Sequence, residues 1–320
     1  MKTNRVAGTD VEVTEVAFGC ASIGNLYREV DDRAAMETLQ AAWQAGIRYF
    51  DTAPHYGRGL SEVRLGRFLA SRDGARISTK VGRVLRPAVE PIAEVDGFVN
   101  PAQNDVRYDY SGDGIEESFE QSLGRLGVSY IDILYVHDIG AYTHGTGNAS
   151  HMEAFLGSGY ERLRRLKETG RIGAFGLGVN ECQVCLDVMD FGPIDVILLA
   201  GRLTLLDRSA TEALLPRCGA EGTSLVLGGV FNSGILATGP VPGATFDYGP
   251  APQDVLDRVA DLESRANAFG LSLATAALHF ARRQPSVASV LLGTAKVGTL
   301  KRNLAALAQE LPEGAEAALA

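Results

Sequence analysis

Four side chains in this chain of 320 residues have the types and the spacing of a proton-transfer site. They are Asp51, Tyr56, Lys80 and His137. Asp51, Lys80 and His137 each end a short apolar or β-rich run, and Tyr56 lies in the loop after Asp51. Because the carboxyl ends of parallel barrel strands converge on one face, we expect the four side chains to meet there. Together they could donate or accept a proton.

The tyrosine is the expected general acid/base. A free phenol has a pKa of about 10, so its anion is scarce at neutral pH. The Lys80 ammonium favours the phenolate and is expected to lower the pKa of Tyr56, while Asp51 keeps Lys80 charged and oriented. His137 can donate or accept a hydrogen bond at the reacting oxygen. Since the set contains no nucleophile and no metal cluster, a cofactor is expected to perform the difficult step, most simply hydride transfer.

The elements that must position these side chains alternate along the chain. Short β-rich runs are followed by longer segments of helical periodicity, such as residues 31–45 and 160–169, which is typical of parallel βα units. The β-rich runs are residues 16–20, 47–51, 76–80, 130–136, 172–178, 194–200, 224–229 and 287–292. Eight such strands close a barrel. We therefore predict an α/β fold, a (β/α)8 TIM barrel, with residues 1–320 as a single domain.

Three further segments are expected to complete the barrel. Residues 5–7 and 11–13 flank Gly8-Thr9-Asp10 and predict an N-terminal β-hairpin that closes the barrel bottom. The connections 82–110 and 231–253 are unusually long, and long loops in compact domains are usually functional or disordered. Both follow strands, so we interpret them as walls of a substrate pocket on the active-site face.

Composition narrows the classes of partner. The net charge is −9 with a pI near 5.2, and no Lys/Arg stripe is present, which argues against nucleic-acid and anionic-membrane binding. No apolar run is long enough to span a bilayer, and the N-terminus lacks the apolar core of a signal peptide. Cys182 and Cys185 have no second pair for zinc, so no metal is expected. We expect a cytoplasmic protein with a small-molecule substrate, and its oligomeric state stays open.

Several segments carry a family resemblance. Residues 50–57, 78–80, 136–138, 176–180, 205–208 and 232–236 resemble signature segments of the aldo-keto reductase family. The resemblance implies that Tyr56 is the general acid/base, that Asp51 and Lys80 tune it, and that His137 orients the substrate oxygen. Asn180 would hold the nicotinamide carboxamide. The full set of implied cofactor contacts is Gly19, Asn180, Phe231, Asn232, Ser233, Gly234, Leu236, Gly293, Thr294, Lys296 and Asn303.

Residues 18–26, 108–114 and 137–145 resemble one branch of that family, the D-threo-aldose 1-dehydrogenases (L-fucose dehydrogenase type) with pyridoxal 4-dehydrogenase. This implies NAD(P)-dependent oxidation of a cyclic hemiacetal, such as L-fucose or D-arabinose, to a lactone. Oxidation of pyridoxal to 4-pyridoxolactone is the alternative, followed by a broad carbonyl reductase and a non-catalytic cofactor-sensing subunit. His55, Tyr142 and His144 are candidate substrate contacts.

The chain departs from the family pattern around the cofactor. Gly293 and Thr299 stand where many NADP-preferring members carry Lys and Arg, which favours NAD, although nearby Lys296 and Arg302 leave NADP possible. The other departures are Ala200 in place of a glutamine and Gly228 in place of an aromatic residue. Either Phe231 replaces that aromatic contact or the nicotinamide ring rests on backbone.

Overall fold

The computed structural model describes residues 1–319. Within these residues, eight parallel strands form one closed barrel in which each strand pairs with the next and the last pairs with the first. We number them β1 to β8: Val16–Gly19, Tyr49–Asp51, Arg76–Val81, Ile131–His137, Ile172–Val179, Val196–Ala200, Ser224–Gly228 and Val287–Gly293. The predicted (β/α)8 barrel is confirmed, and each strand lies where a run was predicted, to within about two residues at either end.

Helices surround the barrel. They are Asp32–Gln44, Leu60–Leu69, Gly112–Leu126, Tyr160–Glu168, Gln183–Phe191, Leu214–Glu221, Gln253–Ala268, Leu273–Arg283, Val297–Ala308 and Ala315–Leu319, with shorter ones at Ala141–His144, Asn148–Ala154 and Ile235–Thr238. Side-chain caps fix several starts: Asp31 accepts a hydrogen bond of 2.7 Å from the Ala34 backbone N–H. The long helices bury one apolar stripe against the strands.

The barrel interior is packed rather than hollow. Side chains from alternate strands fill it, among them Tyr49, Ile133 and Val196. The hydroxyls of Tyr49 and Tyr135 lie 3.0 Å apart, so each buried phenol has a hydrogen-bond partner. This packed core holds the carboxyl ends of the strands in fixed positions, which is the requirement for a precisely spaced site.

The N-terminal hairpin closes the barrel bottom as predicted. Its strands are Thr3–Arg5 and Glu12–Thr14, slightly outside the predicted runs. The difference arises because residues 6–11 all belong to the turn, where Val6 N–H donates to the Val11 carbonyl at 2.8 Å. Both valines pack into the same cluster as the barrel interior.

The two long connections both have internal structure. In the first, Arg83–Pro87 pairs antiparallel with Asn104–Tyr108, and a smaller ladder joins Glu94–Val95 to Phe98–Val99. The second contains the short helix after β7 and a two-residue ladder, Thr245–Phe246 with Gly249–Pro250. Across residues 1–319, we find no helix with the length and apolar character needed to cross a membrane.

Candidate active site

The structure brings the four predicted residues together on the carboxyl-end face of the barrel. Asp51 and His137 are the last residues of β2 and β4, and Lys80 is the last but one of β3. Tyr56 begins the single turn Tyr56–Gly59 that follows β2. Asp51, Lys80 and His137 are buried, whereas the Tyr56 side chain is partly exposed to the cavities described below.

Asp51 and Lys80 form a buried ion pair. Lys80 Nζ donates to Asp51 Oδ2 at 2.8 Å and to the Thr52 carbonyl oxygen at 2.8 Å, and Ser78 Oγ donates to Asp51 Oδ1 at 2.7 Å. Burial alone would lower the pKa of Lys80, but the Asp51 carboxylate and the Tyr56 phenol together hold that pKa above its ordinary value. The ammonium is therefore fixed in place and remains charged.

The Tyr56 ring lies beside this ammonium. Lys80 Nζ is 4.5 Å from the centre of the ring. The surrounding protein removes water from the phenol and raises the pKa of Tyr56 to about 12, although Lys80 acts in the opposite direction. This direction is opposite to the lowered pKa that the sequence predicts. The effect of Lys80 has the predicted sign, but in the ligand-free site desolvation outweighs it.

Two neutral histidines complete the set. The His137 ring stands nearly perpendicular to the Tyr56 ring, at 88° with ring centres 5.8 Å apart. The centre of the His55 ring is also 5.8 Å from the centre of the His137 ring. Burial, followed by the cations Arg83 and Lys80, holds the pKa of His137 well below its ordinary value. Burial, followed by Arg83, Arg58 and Lys80, lowers the pKa of His55 to about 2. Both rings are therefore uncharged at neutral pH.

The backbone that carries Tyr56 is held by a close contact between two glycines. Gly57 has φ +62°, and a Cβ there would lie 2.3 Å from the Gly24 carbonyl oxygen. A Cβ on Gly24 would lie 2.8 Å from the Tyr56 carbonyl carbon. Since real Cβ atoms do not approach backbone so closely, both positions require glycine for Tyr56 to keep its place.

Two adjoining cavities open at this face. The larger chamber, of about 440 Å³, extends from Asp51 and Tyr56 along the ends of β6, β7 and β8. The smaller chamber, of about 250 Å³, contains Lys80 and His137 in its wall. Tyr56 belongs to the wall that the two chambers share. The other shared residues are Ala21, Leu26, Tyr27, Asn180, Leu198, Ala200 and Tyr248.

Most of the predicted cofactor contacts line the larger chamber. These are Gly19, Asn180, Phe231, Asn232, Ser233, Gly234 and Gly293, together with Ala200 and Gly228 from the departures noted above. The remaining four lie beyond its wall. Leu236 and Thr294 are buried, Lys296 is exposed, and Asn303 lies on the helix Val297–Ala308. A cofactor role for these four stays a prediction.

Of the predicted substrate contacts, His55 lines the smaller chamber. His144 is not part of that wall, and its Nε2 lies 2.8 Å from the Tyr110 hydroxyl. The same hydroxyl donates to the backbone carbonyl oxygen of His137, which does line the chamber, at 2.8 Å. Tyr142 is 46% exposed, and its hydroxyl donates to Asp247 at 3.3 Å. Tyr142 and His144 thus belong to the surroundings of the chamber, and a direct substrate contact by either stays a prediction.

Sequence reasoning missed several residues of the smaller chamber. Asp138 follows His137 and is ion-paired with Arg83, while Asp96, Phe98 and Tyr248 come from the two long connections. The position of Asp138 directly after the end of β4 was a usable signal. The two connections, which are predicted as pocket walls, supply the other three residues, but which of their side chains face the chamber depends on the internal pairing of the connections. Within the described residues, no group of His, Cys, Asp or Glu side chains could hold a metal ion.

A (β/α)8 barrel with an Asp–Tyr–Lys–His site beside an elongated cleft on its carboxyl-end face has the form of a cofactor-dependent oxidoreductase. A sequence profile of the Aldo/keto reductase family matches residues 15–319, and the chain belongs to that family.

Two proteins resemble this chain in sequence over nearly its whole length, and a solved structure resembles it in fold. The chain is 39% identical to pyridoxal 4-dehydrogenase of Microbacterium luteolum over 95% of this chain and 92% of that one. It is 35% identical to D-threo-aldose 1-dehydrogenase of Pseudomonas sp, over 98% and 95% of the two chains. Its fold matches aldo-keto reductase AKR11C1 from Bacillus halodurans in the holo form, with a TM-score of 0.77, 24% identity and coverage of 100% and 95%.

Proposed function

We propose that this chain is an NAD-dependent aldose 1-dehydrogenase that oxidises the anomeric hydroxyl of a cyclic hemiacetal, such as L-fucose or D-arabinose, to a lactone. The observation that carries the proposal is the position of Tyr56 in the wall between the two chambers, beside Lys80 and His137. An acid/base between a cofactor cleft and a substrate chamber can act on a hydroxyl whose carbon faces the cleft.

The larger chamber fits a nicotinamide dinucleotide. Glycines at the ends of β1, β7 and β8 add no side chains to its wall, and the Asn180 amide offers a polar contact. Gly293 supplies no cation for the additional phosphate of NADP. Arg302 donates to Thr299 Oγ1 at 3.1 Å, so its guanidinium already has a partner within the helix. Both observations support NAD over NADP. When bound, an oxidised nicotinamide supplies the hydride acceptor.

The protein's part in the reaction is proton transfer and orientation. The anomeric hydroxyl gives its proton to the Tyr56 oxygen while the C–O bond becomes a carbonyl and the hydrogen on the anomeric carbon leaves with its electron pair. Lys80 stabilises the Tyr56 phenolate before that proton arrives. Neutral His137 can donate a hydrogen bond to the same substrate oxygen. Because the substrate is already a hemiacetal, the oxidation gives a lactone without the addition of water.

Pyridoxal is the second candidate substrate, since it also forms a cyclic hemiacetal. The smaller chamber has aromatic walls formed by His55, Phe98, Tyr27 and Tyr248, which favour a planar ring. The same chamber contains Asp96, Asp138 and Asn180, which could bind sugar hydroxyls. Of the two relatives described above, one is named for pyridoxal and the other for an aldose.

The deciding experiment follows reduced nicotinamide after mixing the purified protein with NAD or NADP and each of L-fucose, D-arabinose, L-galactose, L-xylose and pyridoxal. We expect rapid reduction of NAD with one or more sugars. A response to pyridoxal alone would replace the sugar proposal with the second candidate. If no compound reacts while NAD binds, the hemiacetal proposal is wrong and the carbonyl-reductase and cofactor-sensing functions must be tested.

A further inference from the structure

A buried ion pair that takes no part in the proposed proton transfer reaches the wall of the smaller chamber through Asp138. Arg83, the first residue after β3 and Gly82, donates from its guanidinium to Asp138 Oδ2 at 2.5 Å. The two side chains are 4% and 15% exposed. Asp138 has φ +48°, a conformation that non-glycine residues rarely adopt, so the surrounding structure holds it there.

The second carboxylate oxygen of Asp138 points to a predicted cofactor contact. Asn180 Nδ2 donates to Asp138 Oδ1 at 3.2 Å. A carboxylate paired with an arginine can only accept hydrogen bonds, so the amide of Asn180 must turn its NH2 group toward Asp138. Its oxygen then faces the chambers, where the Tyr248 hydroxyl donates to it at 3.2 Å.

The rest of Asn180 is held as well. Arg202 Nε donates to the Asn180 carbonyl oxygen at 2.6 Å, which fixes the backbone. With the backbone fixed, the NH2 group and the oxygen of the Asn180 side chain could exchange places only if the whole amide group turned about the Cβ–Cγ bond. Asp138 prevents that exchange, since turning the amide would bring two oxygens together.

We propose that Asp138, held by Arg83, is a positioning residue that fixes the polarity of the Asn180 amide, so that a bound nicotinamide meets an acceptor and not a donor at this point. The inference rests on the proposed function for the identity of the cofactor. Under it, Asn180 accepts a hydrogen bond from the NH2 group of the nicotinamide carboxamide.

The test compares the binding of two cofactors by calorimetry, without substrate. One is NAD, and the other is 3-acetylpyridine adenine dinucleotide, whose acetyl group retains the carbonyl oxygen but has no N–H. The unaltered protein is expected to bind NAD about 10-fold more tightly, the equivalent of one hydrogen bond. In Asp138→Asn the Asn180 amide can turn either way, so this ratio should fall toward one.

A merely structural role for Asp138 would weaken both cofactors equally and leave the ratio unchanged, and that result would overturn the inference. A ratio near one in the unaltered protein would also overturn it. Asp195→Asn is the matched control, because Asp195 is also 15% exposed and ion-paired, to Lys167, but at the opposite end of the barrel. It should retain the ratio.

The double variant Arg83→Gln/Asp138→Asn serves if Asp138→Asn does not fold, because it removes both charges and leaves neither unpaired. It should lose the preference in the same way, and retention of the preference would contradict the inference. If the unaltered protein binds no NAD, both the inference and the proposed function are wrong. If NAD binds with the expected preference but no hemiacetal is oxidised, only the proposed function fails.

Discussion

The hydroxyl of Tyr248 donates a hydrogen bond of 3.2 Å to Oδ1 of Asn180, joining the connection after β7 to the end of β5. The Asn180 oxygen is the atom that the proposed cofactor contact would use. Under the proposed function, a nicotinamide carboxamide that enters the site would compete with the Tyr248 hydroxyl for that oxygen.

The first prediction is that removing the Tyr248 hydroxyl strengthens the binding of NAD. Tyr248→Phe should bind NAD more tightly, by about 2- to 5-fold, because a single neutral hydrogen bond contributes only modestly to free energy. The measurement is calorimetric titration with NAD. Tyr130→Phe is the control, since Tyr130 is 41% exposed and lies before β4, at the opposite end of the barrel, and it should bind NAD as the unaltered protein does. Weaker binding by Tyr248→Phe would mean that the hydroxyl assists the cofactor.

The second prediction concerns Tyr56 itself. Tyr56→Phe removes the acid/base oxygen but retains the ring in the wall between the chambers. Turnover should fall by roughly 10²- to 10⁴-fold, the contribution of a positioned proton-transfer group. NAD affinity should hardly change. Turnover rates from stopped assays and NAD titrations on the same preparation test both statements, and preserved turnover would eliminate Tyr56 as the base.

The third prediction is the pH dependence. Burial raises the pKa of Tyr56 to about 12, and oxidation needs the phenolate, which forms as pH approaches that value from below. The kcat/KM for oxidation should therefore rise steadily from neutral into alkaline solution. His55 and His137 stay neutral because burial and nearby cations depress their pKa values, so no step should occur near the ordinary histidine pKa of about 6.5. A rate that increases toward acid would contradict the assignment.

The fourth prediction concerns the buried ion pair. Lys80→Met should destabilise the protein by about 3–5 kcal/mol, because it leaves the Asp51 carboxylate buried without a partner. It also removes the cation that favours the Tyr56 phenolate. In Lys80→Met/Asp51→Asn, with both charges gone, most of the stability should return while activity stays low. Denaturant unfolding measures both effects, and equal stability of the single and double variants would show that the unpaired Asp51 carboxylate is not the cause of the loss.

Local patterning was sufficient to predict the barrel. Each β-rich run, such as residues 194–200, lies between Gly-rich turns and helical periodicity, and such a run has few alternatives to a buried parallel strand. The meeting of Asp51, Lys80 and His137, with Tyr56 beside them, could be predicted because these residues stand at or just after strand ends. The hairpin strands were shifted because the turn of residues 6–11 is stabilised by contacts that local patterning does not reveal.

Features that depend on distant parts of the chain were not predictable. Phe98 lines the smaller chamber because the strands Arg83–Pro87 and Asn104–Tyr108 pair and fold the connection back. The sign of the Tyr56 pKa shift required the balance between desolvation and Lys80, which only the packed structure provides. The partnership of Arg83 with Asp138 joins two strand ends 55 residues apart.

The contact between Gly24 and Gly57 has a consequence for laboratory evolution of this protein. A library that diversifies the whole rim of the active site would lose most of its members at these two positions, since any side chain there displaces Tyr56. Tyr27 and Tyr248 are 68% and 63% exposed and reach the smaller chamber from other segments. Both tyrosines have a positive φ, +62° and +64°, which disfavours β-branched replacements there. Other side chains should be tolerated far better at these tyrosines than at the glycines, which makes the tyrosines the positions at which new substrate ranges can be selected.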